Sequence, residues 1–562
     1  MCGICFWLQF SHATEFKPYY EKALQLIARR GSDYQGFHDI RVNGTSKTMN
    51  FHGCVLHLRG EKLGCQPAID ANGNVLLWNG EIFGGLEVEE TESDTMSLLN
   101  YLQASGAAVK DILNAFSKID GPYAFIYYQA ASNLLWFGRD IFGRRSLLVH
   151  LPINENDYFA LSSVAPKCSE YEWFELPALG IFCLNLTRLN VANGGMQLTE
   201  YSQSVQLYPW HSPYRLNMID LEPFLRQLPS DNYNADDEIY QKSLVDNFYS
   251  ILSEAVRKRV CCISPDCGVH LANVDEEQNL KHSRKARIAV LYSGGIDSAI
   301  VAALADRHIP SGESIDLINV AFATKNHSGD SIFEVPDRIS GREVLQELRR
   351  SNVRRQWNFI EVDISSEELQ EVRKNHVKHL VHPHRTVLDD SIGCAIWFAA
   401  RGRGFIRDCD KGSLLPYCSS AKVLLVGMGA DEQLAGYARH RTRFMRDGWE
   451  GLVKEVEMEI SRISTRNLGR DDRCISDHNR EARFPYLDEN VVSFLNSLPI
   501  WNKADLRLPK GVGDKLLLRQ VGQSLGLHQS SKLEKKAIQF GSRIAKLEKS
   551  SEKGSERCSR LQ

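Results

Sequence analysis

Apolar and polar positions alternate with two different periods along this chain, and the change from one to the other marks its elements. Tyr20 to Ile27 is amphipathic at helical spacing. Gly53-Cys54-Val55-Leu56-His57-Leu58-Arg59 reads as a buried strand ending in a cation. Val75 to Trp78 is another strand and runs into Asn79-Gly80-Glu81-Ile82-Phe83. Ser93-Asp94-Thr95 then predicts a capped helix through Leu99 and Leu102, because Ser and Asp side chains satisfy the free N–H groups of a first turn. In the second half, Leu244, Phe248, Leu252, Ala255 and Val256 share one helix face. Arg287 to Tyr292 is a short apolar run, followed at once by Ser293-Gly294-Gly295-Ile296-Asp297-Ser298 and the helix-like Ala299 to Ala305. Lys422 to Val426 is a further buried strand, leading into Gly427-Met428-Gly429-Ala430-Asp431-Glu432. The stretches 261–285 and 408–420 read as loops, and 549–562 as a disordered Ser/Lys/Glu-rich tail. The expected organisation is a first domain over 2–186, a connector rich in Pro, Ser, Asn and Tyr over 187–236, and a second domain over 237–548.

Some of these positions carry chemistry. The chain opens Met1-Cys2-Gly3-Ile4-Cys5. Removal of Met1, which a small second side chain permits, would leave Cys2 with a thiol and a free α-amine. A thiol of pKa ~8.5 is mostly protonated at neutral pH, and an amine near ~8 can take its proton, so nucleophile and base would come on one residue. Cys2 and Cys5 also form a C-x-x-C, but the pair precedes any strand and lacks the βαβ context of a redox motif. Taken alone, Asn79-Gly80 suits a hairpin turn, and Arg59 with Asp94 suits a solvated ion pair. In the second half, strand, glycine-rich turn and helix start present backbone N–H groups to an anion. The G-x-x-x-x-G-K-[ST] spacing is absent, so this is not the Walker loop.

Together these motifs resemble the asparagine synthetase family, in which a class II glutamine amidotransferase domain precedes an ATP-pyrophosphatase domain. The first half carries Cys2-Gly3-Ile4, Arg30 to Gly36, Gln66-Pro67, Asn79 to Phe83, Ser93-Asp94 and Gly138 to Arg145. The second carries the Ser-Gly-Gly-x-Asp-Ser loop at Ser293 to Ser298, Gly427 to Glu432 with Gly436-Tyr437, Asn467 to Arg473, Glu481 to Asp488, and basic elements at Lys515 to Arg519 and Lys535 to Phe540. MCGICF, LWNGEIF, DSIGCAIWFAARG and QFGSRIAK resemble the divergent eukaryotic branch of asparagine synthetase domain-containing proteins. Ser32 replaces the family proline, and the segment Gly60 to Cys65 is shorter than usual.

The resemblance implies an αββα N-terminal-nucleophile glutaminase domain and a doubly wound α/β domain of the adenine nucleotide α-hydrolase type. It implies that Cys2 attacks the glutamine amide and that Asn79 and the Gly80 N–H form the oxyanion hole. Arg59 would hold the substrate carboxylate, and Glu81 with Asp94 its ammonium. ATP would be gripped by Ser293, Gly294, Gly295, Asp297, Ser298, Gly429 and Asp431, with Mg²⁺ on Asp297 and Asp431. Lys536 would neutralise charge at the α-phosphate and pyrophosphate, and Glu481 would act as a base near an acyl-adenylate. The implied reaction is asparagine synthesis from aspartate with glutamine as nitrogen donor; a different carboxylate acceptor, or a regulatory relative that keeps the fold, are the alternatives.

Composition narrows the remainder. A net charge of −3 over 562 residues gives no strongly basic face, so nucleic acid is not implied as a partner. No stretch approaches the ~20 apolar residues of a membrane span. The fourteen cysteines show no regular spacing, and a thiol nucleophile needs reducing surroundings, so the cytoplasm is the expected location.

Overall fold

Strict alternation in the opening strand decides how the first half is layered. Ile4, Phe6 and Leu8 lie in one buried cluster with Phe51, Leu77, Ile126 and Phe137, whereas Cys5 and Trp7 lie in another with Ala23 and Leu26. Both faces of the strand are therefore covered, one by a second sheet and one by a helix. The computed structural model describes residues 2–9, 17–41, 48–152, 157–189, 204–210, 238–264, 285–323, 332–408 and 412–547.

The strands of the first half are β1 (Gly3–Gln9), β2 (Tyr34–Arg41), β3 (Thr48–Val55), β4 (Ala68–Ile69), β5 (Val75–Gly80), β6 (Tyr123–Gln129), β7 (Leu134–Arg139), β8 (Leu148–His150), β9 (Phe159–Ser162), β10 (Phe174–Glu175), β11 (Gly180–Asn185) and β12 (Val205–Pro209). They form two antiparallel sheets, in the orders β10-β8-β9-β1-β3-β2 and β12-β11-β7-β6-β5-β4. The helix Lys17–Ala28 covers the outer face of the first sheet. Helices Asp94–Ser105 and Val109–Ser117 cover the second, through Leu98, Leu102 and Phe116 against Trp78 and Phe125. This is the expected αββα sandwich. Ser93 caps its helix as the sequence predicts, accepting from the Met96 N–H at 3.4 Å.

The second half carries β13 (Ile288–Leu291), β14 (Ile315–Phe322), β15 (Trp357–Ile364), β16 (Arg403–Arg407), β17 (Leu414–Cys418), β18 (Val423–Leu425) and β19 (Glu481–Arg483) in one sheet, ordered β17-β16-β15-β14-β13-β18-β19. Its five central and right-hand strands are parallel, and β16 and β17 close one edge antiparallel. The five parallel strands are almost wholly buried, as their continuous apolar runs require. The helix Glu238–Cys261 opens this domain, with Leu244, Phe248, Leu252, Ala255 and Val256 all in the core.

Three expectations are corrected. Val205–Pro209, placed in the connector, pairs with β11 as an edge strand, so the first domain extends beyond 186. Leu414–Cys418, read as loop, forms a hairpin with β16. The strand read over 53–59 runs instead over Thr48–Val55, and Leu56 to Arg59 leave the sheet. The tail, most of the 261–285 stretch and most of the connector lie outside the described residues.

Candidate active sites

At the end of β5, Asn79 and Gly80 remain paired with Ala124 and Tyr123 of β6, so the pair forms no hairpin turn. A side chain at position 80 would meet the Pro122 carbonyl and Tyr123 Cβ at 2.7 Å, which is why glycine stands there. The adjacent Asn79 reaches the start of β1: its Oδ1 accepts from the Cys2 nitrogen at 3.0 Å. Its amide nitrogen is buried with no hydrogen-bond partner among the described residues. An unpaired buried donor beside a thiol has the chemistry of an oxyanion hole, where donors must be aimed before charge develops. Cys2 is 8% exposed. Burial pushes its thiol up, while the positive amino terminus and an N–H from Leu56 oppose that shift. Gln66 fixes the thiol from the side, its amide nitrogen 3.4 Å from Sγ and also donating to the Trp78 carbonyl at 2.9 Å. Cys5 lies in the other core cluster, so the C-x-x-C does not bring two thiols together.

Arg59, Glu81 and Asp94 gather on one side of this thiol. Arg59 donates to Asp94 Oδ1 at 3.0 Å and to the Ile82 carbonyl at 2.8 Å, and Asp94 Oδ2 accepts from the Ile82 N–H at 3.0 Å. Burial and the neighbouring Glu481 push Glu81 up to about 8, and burial pushes Asp94 up to about 6 against the pull of Arg59. Both acids sit in low dielectric, where positive charge nearby favours their ionised forms.

The second site forms where β13, β14 and β18 end. A cavity of about 600 Å³ is lined there by Ser293, Gly295, Asp297, Ser298, Asp431 and Lys515, among others. Gly294 has φ +78, and a Cβ on it would lie 2.5 Å from the Gly341 nitrogen, so the turn at Ser293 to Gly295 admits only glycine there. The helix Ile296–His308 starts directly from this turn and directs its first N–H groups toward the cavity side of the sheet. Lys515 Nζ lies 2.6 Å from Asp297 Oδ2 and 2.8 Å from Asp431 Oδ1, and Lys535 Nζ lies 3.0 Å from Asp431 Oδ2. Burial would raise Asp431, but its two ammonium neighbours override that and hold it well below the usual carboxylate range. Two carboxylates within reach of one small cation, beside a cavity that opens onto backbone N–H groups, fit Mg²⁺ carried on phosphates. That ion is usually held by one or two acids plus phosphate and water.

Residues 1–171 match the family model of the glutamine amidotransferase domain, and 280–467 and 444–545 match that of asparagine synthase. The chain is 45% identical to asparagine synthetase domain-containing protein 1 of Bos taurus, over 100% of this chain and 98% of the relative. It is 44% identical to the protein of the same name in Homo sapiens, with the same coverage. The chain belongs to the asparagine synthetase domain-containing protein family. With the asparagine synthetase [glutamine-hydrolyzing] of Gallus gallus it shares 24% identity over 98% of this chain and 86% of the relative.

Within this family member, the structure redistributes two residues that the sequence had assigned. Glu481, expected near an acyl-adenylate, does not line the cavity beside Ser293 to Ser298. In the parallel pairing of β18 and β19 it stands level with Val423, two residues before the strand end that faces the nucleotide loop. Its carboxylate is held by Arg483 at 2.6 Å and Arg145 at 3.2 Å, on the side of Cys2 and Glu81. Lys536 lines the cavity, but the ammonium groups on the acid pair are those of Lys515 and Lys535. Lys515 takes a left-handed backbone, φ +55, immediately before the helix Leu516–Ser524. The sequence signal was there, in the basic elements Lys515 to Arg519 and Lys535 to Phe540, without anything to choose among their three lysines. Gln66 was visible only as part of a Gln-Pro dipeptide.

Proposed function

We propose that this chain makes asparagine from aspartate, using ATP and nitrogen taken from glutamine. Its two domain types support a glutamine-hydrolysing, ATP-dependent ligase; the aspartate acceptor and the cytoplasmic location belong to the proposal. The observation that carries it is the presence, in one chain, of Cys2 bonded to Asn79 and of Asp297, Lys515 and Asp431 converging over a glycine-rich turn.

In the first site, the Cys2 amine takes the thiol proton and Sγ attacks the glutamine amide. The unpaired Asn79 amide and the Gly80 N–H stabilise the oxyanion, ammonia leaves with the amine's proton, and water then cleaves the thioester to release glutamate and the Cys2 thiol. Arg59 meets the substrate carboxylate, and Glu81 and Asp94 meet its ammonium. In the second site, the N–H groups of the Ser293 to Ser298 turn hold phosphate oxygens, and Lys515, Lys535 and Lys536 offset the charge of departing pyrophosphate. Mg²⁺ on Asp297 and Asp431 would neutralise the phosphates. Ammonia then displaces AMP from the activated aspartate carboxyl.

Two variants separate the sites. Cys2→Ala should remove glutamine-dependent synthesis and leave ammonia-dependent synthesis. Asp431→Asn should stop AMP and pyrophosphate formation and leave glutamine hydrolysis intact. Formation of ADP and phosphate in place of AMP and pyrophosphate would refute the reading.

A further inference from the structure

Arg483 stands between the two sites. Its guanidinium is fully buried and serves three neighbours: Nε donates to Glu481 Oε1 at 2.6 Å, Nη1 donates to the Arg259 carbonyl at 2.7 Å, and Nη2 lies 3.2 Å from Glu81 Oε2. The last contact is an ion pair without hydrogen-bond alignment, and both atoms are buried without a hydrogen-bond partner among the described residues. The least well made of the three contacts is thus the one to the acid that the glutamine reading assigns to the substrate ammonium. The ring of Phe83, two residues after Glu81, lies 5.4 Å from the same guanidinium. The backbone of Arg483 faces the other site. Its carbonyl accepts from the Val426 N–H at 2.9 Å, where β18 ends. Val426, Gly427 and Met428 line the nucleotide cavity.

We infer that Arg483 is a positioning residue that couples occupancy of the glutamine site to the nucleotide loop. The inference rests on the glutamine reading above. An α-ammonium arriving between Glu81 and Asp94 competes with Arg483 for Glu81. Once Glu81 is satisfied by substrate, Glu481 is the one carboxylate left to the guanidinium beside the Arg259 carbonyl, and the fork closes on it. Glu481 and Arg483 are the two ends of β19, and β19 is bonded to β18 in register, Glu481 beside Val423 and Arg483 beside Leu425. A change in how Arg483 is held therefore bears on the strand that positions Val426 to Met428. Stranding a buried charge is costly, so the guanidinium that loses one partner moves onto its remaining carboxylate. The nucleotide favours the arrangement with Arg483 on Glu481, and that arrangement frees Glu81 for glutamine. Coupling between binding equilibria is reciprocal, so each ligand tightens the other by the same factor, typically about 5–150-fold.

The test uses the full chain carrying Cys2→Ala, which holds glutamine without cleaving it. Calorimetry measures glutamine affinity with and without Mg²⁺ and an ATP analogue blocked between the α- and β-phosphates, and analogue affinity with and without glutamine. The expected result is mutual tightening by one factor of at least about 5. Adding Arg483→Lys should leave each ligand binding alone and bring the factor to about 1. A second variant reads the same switch without touching Arg483: Glu81→Gln, which mimics a satisfied acid, should tighten the analogue in the absence of glutamine. Independent binding in the Cys2→Ala chain, or a factor unchanged by Arg483→Lys, overturns the coupling. Unchanged analogue affinity in Glu81→Gln overturns it too. Failure of glutamine to bind in any state would instead remove the glutamine reading on which the inference rests.

Discussion

On the proposed reading Asn79 does two jobs with one side chain: its oxygen takes the Cys2 nitrogen at 3.0 Å and leaves its amide nitrogen for the oxyanion. Asn79→Ala should lower the rate of glutamine hydrolysis by about 10²–10³, the usual loss for one oxyanion donor, measured as glutamate release. A fall in glutamine affinity with unchanged kcat would place Asn79 in binding alone. Lys503 shows a residue-scale cost unrelated to either site. It is fully buried, its ammonium has no hydrogen-bond partner among the described residues, and burial pulls its pKa down to about 7. Below that pH both folded and unfolded forms carry the proton. Between about 7 and the unfolded value of about 10.4 only the unfolded chain does, so the penalty fades as pH rises. Lys503→Met should stabilise the protein at neutral pH, and the gain should shrink by about 1.4 kcal/mol per pH unit across that window, read by urea unfolding at several pH values. Cys2, Asn79, Asp297 and Asp431 were legible in the sequence because each sits in a contiguous motif. The choice of Lys515 was not, because it depends on which distant lysine the fold returns to the acid pair.

Elements repeat that lesson. β5, β13 and β18 are apolar along their length, since both faces are covered, and the sequence declares them, whereas β1 corrects the reading that Cys2 and Cys5 precede any strand. β12 and β17 are edge strands whose side chains are half-buried or exposed, so they carry no continuous apolar signal and read as connector and loop. The turn after Asp431 shows how tightly an element can depend on one position. A Cβ at Gly436 would lie 2.1 Å from Asp431 Oδ1 and 2.3 Å from Lys515 Cε. Gly436→Ala should therefore separate the lysine from the acid pair, abolishing AMP formation while glutamine hydrolysis continues in the other domain. Loss of both activities together would show a general folding defect.

At the scale of the molecule, the two domains are joined by buried charge. Arg30 reaches Asp472 at 2.7 Å with both side chains essentially inaccessible, Arg473 reaches Glu175 at 2.5 Å, and a half-exposed Arg29 reaches the buried Asp477 at 2.8 Å. No single stretch of sequence shows these pairs, since each partner lies in the other half. Removing one member of a buried pair typically costs about 3–5 kcal/mol because it strands the other. Asp472→Ala should cost that much in a denaturant titration, and should do so without altering glutamine affinity if the glutamine site depends on its own domain and Arg483 alone. Such a joint also suits the handover of ammonia, which is mostly protonated in neutral water and then no longer nucleophilic. A passage kept from solvent between the sites is the simplest solution.

The central claim is that nitrogen cut from glutamine at Cys2 is joined to aspartate at the nucleotide cavity of the same chain. The most direct measurement incubates the protein with ATP, Mg²⁺, aspartate and glutamine labelled with ¹⁵N in its side-chain amide, in the presence of an ammonia-scavenging enzyme. The account predicts ¹⁵N-asparagine, with AMP and pyrophosphate formed in equal amounts, despite the scavenger. Glutamate release without asparagine or AMP would contradict it and move the acceptor to another carboxylate.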